Sequence, residues 1–237
     1  MVSVQTIDKR KLLQNHCLLG RLPAADLDKL VAYARVVSHK ADDTIFLKGS
    51  PGTGMMAVIS GQVKITAPSA EGKEVILNII NPGEIFGEVA LLDGKERTAD
   101  AVALTDCELL VLERRDFLPF LHSRPELCIQ LLAILCERLR RTSEQVEEIL
   151  FLELPGRFAR ALLRLAQTHG QRVTAGTRIN LPLSQREFGE LVGISREGIN
   201  KQLHAWQREG WVSLDRGEII IRNMAALKRT AELDLAD

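Results

Sequence analysis

The chain has 237 residues, 46% of them apolar and 26% charged, with a formal net charge of zero. That length can bury one large core or two modest ones, and the composition is that of an ordinary globular protein. No apolar run approaches the roughly 18–20 residues a membrane span needs. The start, MVSVQTIDKRKLLQNH, also lacks the basic-then-apolar layout of a secretory signal. A cytoplasmic protein without a membrane partner is expected.

Four cysteines, Cys17, Cys107, Cys128 and Cys136, form no C-x-x-C pair. They read as free thiols and give no support to a cysteine-held zinc or iron–sulfur centre, so no metal site is expected. Zero net charge hides an asymmetry. From Pro155 to the end there are 13 Lys and Arg against 9 Asp and Glu, and the first 154 residues hold 18 against 22. A basic C-terminal third on an acidic body is the distribution of a chain in which one part touches nucleic acid.

In chain order, AADLDKLVAYARVV (24–37) carries leucine and valine at helical spacing and predicts a short amphipathic helix. From Asp43 to Glu113 the chain reads as short strands: TIFLKG, MMAVISGQVKIT, EVILNII, TADAVAL and ELLVLE. Turns fall at GSPGTG, SAEGK, NPGE and LDGKE. Many short strands with regular glycine turns point to an antiparallel barrel, roll or sandwich. Inside this region lies FGEVALLDGKERTADA (86–101), which sets Glu88 and Arg97 on either side of a tight apolar loop. It is either a solvated turn with incidental charges or a mould for a small ligand offering a hydroxyl and a phosphate.

From about Pro125 to Glu153 the periodicity becomes helical. Cys128, Leu132, Leu135, Leu139, Thr142, Val146 and Ile149 alternate at spacings of 4 and 3, the seam of a coiled coil with one polar intruder at Thr142. Leu131, Ile134 and Arg138 lie on an adjacent face that could pack back onto the strands. A buried helix within one subunit is the alternative to a symmetric dimer helix, and two-fold pairing is the commonest oligomer. Pro155-Gly156 then marks a hinge and boundary, followed by the amphipathic GRFARALLRLAQTHG.

Leu183–Asn223 reads LSQREFGELVGISREGINKQLHAWQREGWVSLDRGEIIIRN. Ser184 with Glu187 makes a capping box, Gly193 supplies a turn, and Ser195 caps a second helix. That is a helix-turn-helix, whose core is Phe188, Leu191, Val192, Ile194, Ile199, Leu203 and Trp206. WVSLDRGEIIIR adds two strands joined at Asp215-Arg216-Gly217, a wing. On the second helix Arg196 can fork to guanine, Glu197 can accept from the amino group of cytosine, and Lys201 reaches a base or phosphate. A solvated, salt-bridged face is the alternative for these three residues taken alone. Ser184, Gln185, Ser195 and Asn200 complete the candidate DNA-binding set.

Taken together, Leu18 to Asn223 resembles the Crp/Fnr family of bacterial transcription regulators, in the order β-roll, long dimer helix, winged helix-turn-helix. The resemblance implies an α+β fold with an effector domain over 1–124, a dimerisation helix over 125–154 and a DNA-binding domain over 155–237. Gly87, Glu88, Val89, Ala90, Leu91, Arg97, Thr98 and Ala99 look like the family's phosphate-binding cassette. By resemblance, Glu88 accepts the ribose 2′-hydroxyl of a cyclic nucleotide, and Arg97 and Thr98 hold its phosphate with backbone N–H groups near Gly87 and Val89. Thr142 and Ser143 of the long helix would contact the purine, one from the partner subunit, and Arg138 joins this set.

The expected effector is cyclic AMP or cyclic GMP, with cyclic AMP favoured, and no cofactor is implied. Implied partners are a second copy of the chain, a palindromic double-stranded operator and RNA polymerase. Three departures stand out. Cys17 stands alone where the oxygen-sensing branch has a cysteine cluster, no haem ligand is identifiable (His16 and His122 read as surface side chains), and Lys201 replaces the family's common arginine. Alternatives are a regulator with a vestigial pocket and a cyclic-nucleotide-binding regulatory subunit. No nucleophile–base pair or paired carboxylates support an enzyme.

Overall fold

The computed structural model describes residues 23–69, 74–215 and 218–233. Cys17 and His16, part of the SAEGK turn and the Arg216-Gly217 wing tip lie outside these residues. Two compact units form. One takes the described residues up to 69 with Leu77–Cys136, and the other takes Glu74–Ile76 with those from Glu137 on.

Helix α1 (Ala24–Tyr33) is shorter than its periodicity suggested. Val36 and Val37, read as helical, instead enter strand β1 (Arg35–His39). Two β-branched residues in a row fit a pleated strand better than a helix turn. The other strands of the roll are β2 (Thr44–Phe46), β3 (Gly54–Ser60), β4 (Val63–Pro68), β5 (Glu74–Ile80), β6 (Ile85–Phe86), β7 (Asp100–Ala103) and β8 (Cys107–Glu113). They make two four-stranded sheets in the orders β1-β8-β3-β6 and β2-β7-β4-β5, antiparallel wherever the register is defined.

Strand β8 is buried on both faces, which is why ELLVLE reads as an unbroken apolar run. Its Cys107 and Leu109 join Val58, Val63, Ile80, Phe86, Ala101 and Ala103 in one cluster contributed by both sheets. Its Leu110 and Leu112 face a second cluster with Leu30 of α1, Phe117 and Leu121 of α3 (Arg114–His122), and Leu127 and Leu131 of α4 (Pro125–Phe151). Burial pushes the Cys107 thiol above its ordinary pKa.

The long helix α4 departs from the expected seam at two positions. Cys128 and Ile134 pack against the second cluster, and Leu135 is half-buried. The exposed apolar side chains are Ile129, Leu132, Leu139, Val146, Ile149, Leu150 and Phe151, four of which (Leu132, Leu139, Val146 and Ile149) belong to the expected seam. Of these, Ile129, Leu132, Leu139, Val146 and Leu150 recur with the exposed Cys136 and Ser143 at spacings of 3 and 4, a stripe with two polar members. Both polar exceptions to that stripe are small.

Helix α5 (Leu154–His169) takes Pro155 and Gly156 into its own first turn rather than breaking there, because a proline at the start of a helix loses no hydrogen bond. The break between α4 and α5 is Leu152–Glu153. It is bridged within the second unit: Glu148 of α4 is 6% exposed and ion-paired to Arg164, with Arg160 at 3.9 Å. Arg160 also donates Nε to the Ala231 carbonyl at 3.2 Å.

The rest of this unit comprises β9 (Gly170–Val173), β10 (Gly176–Ile179), α6 (Gln185–Val192), α7 (Arg196–Arg208), β11 (Val212–Asp215), β12 (Glu218–Ile221) and α8 (Met224–Leu233). Its sheet order is β11-β12-β10-β9. Phe158 of α5 stacks on Trp206 of α7 at 5.2 Å, and Trp206 on Trp211 at 6.0 Å. Of the expected core, Phe188, Val192, Ile199, Leu203 and Trp206 are buried, while Leu191 and Ile194 are half-buried.

Candidate functional site

Glycine and acid open the cassette. Gly87 has φ +78°, and a Cβ there would lie 2.6 Å from Arg97 Nη1, so both the conformation and the space require glycine. The next residues, Glu88–Asp93, are a short helix, α2, where the sequence suggested a loop. Glu88 is 1% exposed and Arg97 6% exposed. Ala90 is buried close to Gly52, whose Cβ would fall 2.1 Å from that of Ala90, so the small residues of the cassette are a packing requirement.

Arg97 donates from Nη1 to the Gly87 carbonyl at 2.7 Å and from Nη2 to the Gly54 carbonyl at 2.6 Å. Its Nε is buried and makes no hydrogen bond. Burial pushes the guanidinium below its ordinary pKa, and the charges of Glu88 and Glu113 push it back. Arginine nevertheless stays charged at any working pH. A buried cation with N–H groups left over, beside a buried carboxylate, can take an anion on one side and a hydroxyl on the other. Val89 and Thr98 are exposed, and Ala99 is buried.

Two contacts of Arg97 carry no sequence signal. The Phe46 ring lies 4.2 Å from its Cζ, and the Gly54 carbonyl reaches it from 43 residues away. Only the pairing of strands brings these groups together. On α4, Arg138 is half-buried, Thr142 and Ser143 are exposed, and Thr142 Oγ1 donates back to the Arg138 carbonyl at 2.9 Å.

The second site is a surface. Ser184 accepts from Glu187 N at 3.2 Å while Glu187 Oε2 accepts from Ser184 N at 2.9 Å, the reciprocal box expected. The Ser184 hydroxyl also donates to that carboxylate at 2.8 Å. Gly193, at φ +70°, ends α6, and Ser195 accepts from Gly198 N at 3.2 Å to start α7. Ser195, Arg196, Glu197 and Lys201 are exposed together on the first turns of α7, with Asn200 half-buried beside them. A cavity of about 840 Å³ runs alongside, lined by Ser184, Gln185 and Arg196 over a floor of Phe188, Leu203 and Ile219. Gly198 is the point of close approach on the inner side of α7. A Cβ there would sit 2.8 Å from Ile194 Cγ2 and 3.1 Å from Leu154 Cδ1.

Among the described residues no group of three or more His, Cys, Asp or Glu could hold a metal, and no helix is long and apolar enough to cross a membrane.

Residues 36–124 match the cyclic nucleotide-binding domain family, and residues 156–230 match the Crp-like helix-turn-helix domain family. The chain is 36% identical over 188 residues to a CRP-like cAMP-activated global transcriptional regulator of Mycobacterium tuberculosis, covering 79% of this chain and 84% of that protein. It is 34% identical over 214 residues to the cyclic AMP receptor protein of Thermus thermophilus, covering 90% of this chain and 96% of the other. Among solved structures, a CRP/FNR-family transcriptional regulator of Thermus thermophilus superposes with a TM-score of 0.70 at 31% identity, over 84% of this chain and 98% of that one. With a cyclic nucleotide-binding domain followed by a Crp-like helix-turn-helix on one α+β chain, this protein belongs to the Crp/Fnr family of transcription regulators.

Proposed function

We propose that the chain is a homodimeric, sequence-specific DNA-binding regulator gated by a cyclic purine nucleotide, with cyclic AMP preferred over cyclic GMP. One observation carries this reading: the Arg97 guanidinium is buried, has N–H groups unengaged, and stands beside a buried Glu88. A ribose cyclic phosphate would offer an anion to the guanidinium and a hydroxyl to the carboxylate. Gly87, Val89, Ala90, Thr98 and Ala99 shape the cassette, and Arg138, Thr142 and Ser143 would meet the base. The exposed α4 stripe would pair with its copy, and residues 1–124, 125–154 and 155–237 would act as effector domain, dimer helix and DNA-binding domain.

Nucleotide works by favouring one of two arrangements of the dimer, and its leverage equals its difference in affinity for them. In the favoured arrangement the two α7 helices would enter successive major grooves of a palindrome, roughly 34 Å apart. Ser184, Gln185 and Ser195 would meet phosphates while Arg196, Glu197, Asn200 and Lys201 face bases. RNA polymerase is the further partner such a regulator would contact. Support for cyclic AMP comes from the two cAMP-named relatives.

Titration calorimetry with cyclic AMP and cyclic GMP tests the reading. Wild type binds, cyclic AMP more tightly, and Arg97→Ala loses both. Equal binding by wild type and Arg97→Ala sinks the pocket assignment. A second reading has its own observation, since both Nη atoms of Arg97 already donate to the protein's own carbonyls. On that reading the pocket is vestigial and DNA binding is constitutive or answers to another effector. A DNA-shift assay with and without nucleotide separates the two.

A further inference from the structure

Phe46 is the one aromatic ring placed against the Arg97 guanidinium among the described residues, at 4.2 Å from Cζ. It is itself backed by Phe86, whose ring centre lies 5.8 Å away at an interplanar angle of 31°. Phe86 is 1% exposed and immediately precedes Gly87. The guanidinium is therefore held on one face by a π surface and along its edges by the Gly54 and Gly87 carbonyls. Each contact opposes a different movement. The carbonyls fix the in-plane rotation, and the ring fixes the tilt.

We propose that Phe46 is a positioning residue for anion capture: with the Gly54 and Gly87 carbonyls it holds the guanidinium plane of Arg97 ready for a phosphate before any ligand arrives. This rests on Arg97 being the phosphate-holding residue. The physical basis is that a buried cation without its ligand needs other negative density, and the face of an aromatic ring supplies it without offering an oxygen that would compete with phosphate. Holding the side chain in one orientation also removes the ordering cost that binding would otherwise bear. A leucine at position 46 would fill much of the volume but would present no such face.

The test measures cyclic AMP affinity in Phe46→Leu, Phe46→Tyr, Arg97→Gln and the Phe46→Leu/Arg97→Gln double variant, the last two at raised nucleotide concentration. Phe46→Met replaces Phe46→Leu if the latter does not fold. Expected results are a loss of about tenfold in Phe46→Leu, wild-type affinity within about twofold in Phe46→Tyr, and no further loss when Phe46→Leu is added to Arg97→Gln. The same loss with and without the guanidinium, or a Phe46→Tyr variant as weak as Phe46→Leu, overturns the proposal.

A second readout needs no nucleotide. The NMR resonance of Arg97 Nε–Hε should be displaced by the ring current of Phe46 and should move when the ring is removed; an unmoved resonance in Phe46→Leu also overturns the proposal. If Arg97→Gln binds nucleotide like wild type, the pocket reading has failed instead, and the resonance alone decides whether Phe46 orients Arg97.

Discussion

Arg97 and Arg196 are the same side chain in opposite surroundings. Arg97 is enclosed, with a ring on one face, two backbone carbonyls on its edges and a buried carboxylate nearby. Arg196 stands exposed on the first turn of a capped helix. Confinement suits recognition of one small anion, because the binding geometry exists before the ligand does. Exposure suits a long, variable surface, where the side chain must adjust to base edges and the helix supplies the rigidity. On the proposed reading, the same guanidinium chemistry would serve as a fixed socket in one unit and an adaptable fork in the other.

The sharpest way to break this contrast is Gly87→Ala. The new Cβ would meet Arg97 Nη1 and strain a left-handed residue, so stability should fall by about 2 kcal/mol and nucleotide affinity by at least about tenfold. Urea unfolding and calorimetry measure these. A smaller and different effect is expected from Arg196→Ala, which should lose roughly 2 kcal/mol of operator discrimination while unfolding within about 0.5 kcal/mol of wild type. Competition binding with single-base operator variants reads it, and a loss of stability instead would mean that Arg196 belongs to the core. Ser184→Ala should remove about 1 kcal/mol of stability through the lost cap, with little change in specificity.

The last test is geometric rather than energetic. If the exposed stripe of α4 is the dimer seam, mild oxidation should cross-link two chains through Cys136 and not through Cys128. Mass spectrometry of the linked peptide decides between the two faces. Cys107, buried and with its thiol pKa raised, carries less thiolate at a given pH and should alkylate more slowly than Cys136.

What could be read from residues alone followed the range of the interactions. The caps at Ser184 and Ser195 and the turn at Gly193 are set by neighbours three or four residues away, and each lies where the sequence places it. Glu88 and Arg97 announced themselves by type and spacing, but Phe46 and the Gly54 carbonyl reach Arg97 through strand pairing, which spacing cannot show. The start of the α4 seam departs from the expectation because the first half of that helix is apolar on two faces, one turned to the strands through Cys128, Leu131 and Ile134. Only burial separates the two. The β9–β10 hairpin was missed for the opposite reason: its strands, GQRV and GTRI, are largely polar and carry no alternation.

The Glu148 carboxylate has a consequence for how motion can travel through the second unit. Position 152–153 is where the backbone helix is interrupted, yet a buried ion pair spans the interruption and Leu154 lies against Gly198 of α7. Parting Glu148 from Arg164 would strand a buried charge, a change that typically costs about 3–5 kcal/mol. The last turns of α4 are thereby tied to the winged fold like a crank to its handle. On the proposed reading, a rotation of the last turns of α4 would be handed on to α7 through Arg164 and Leu154.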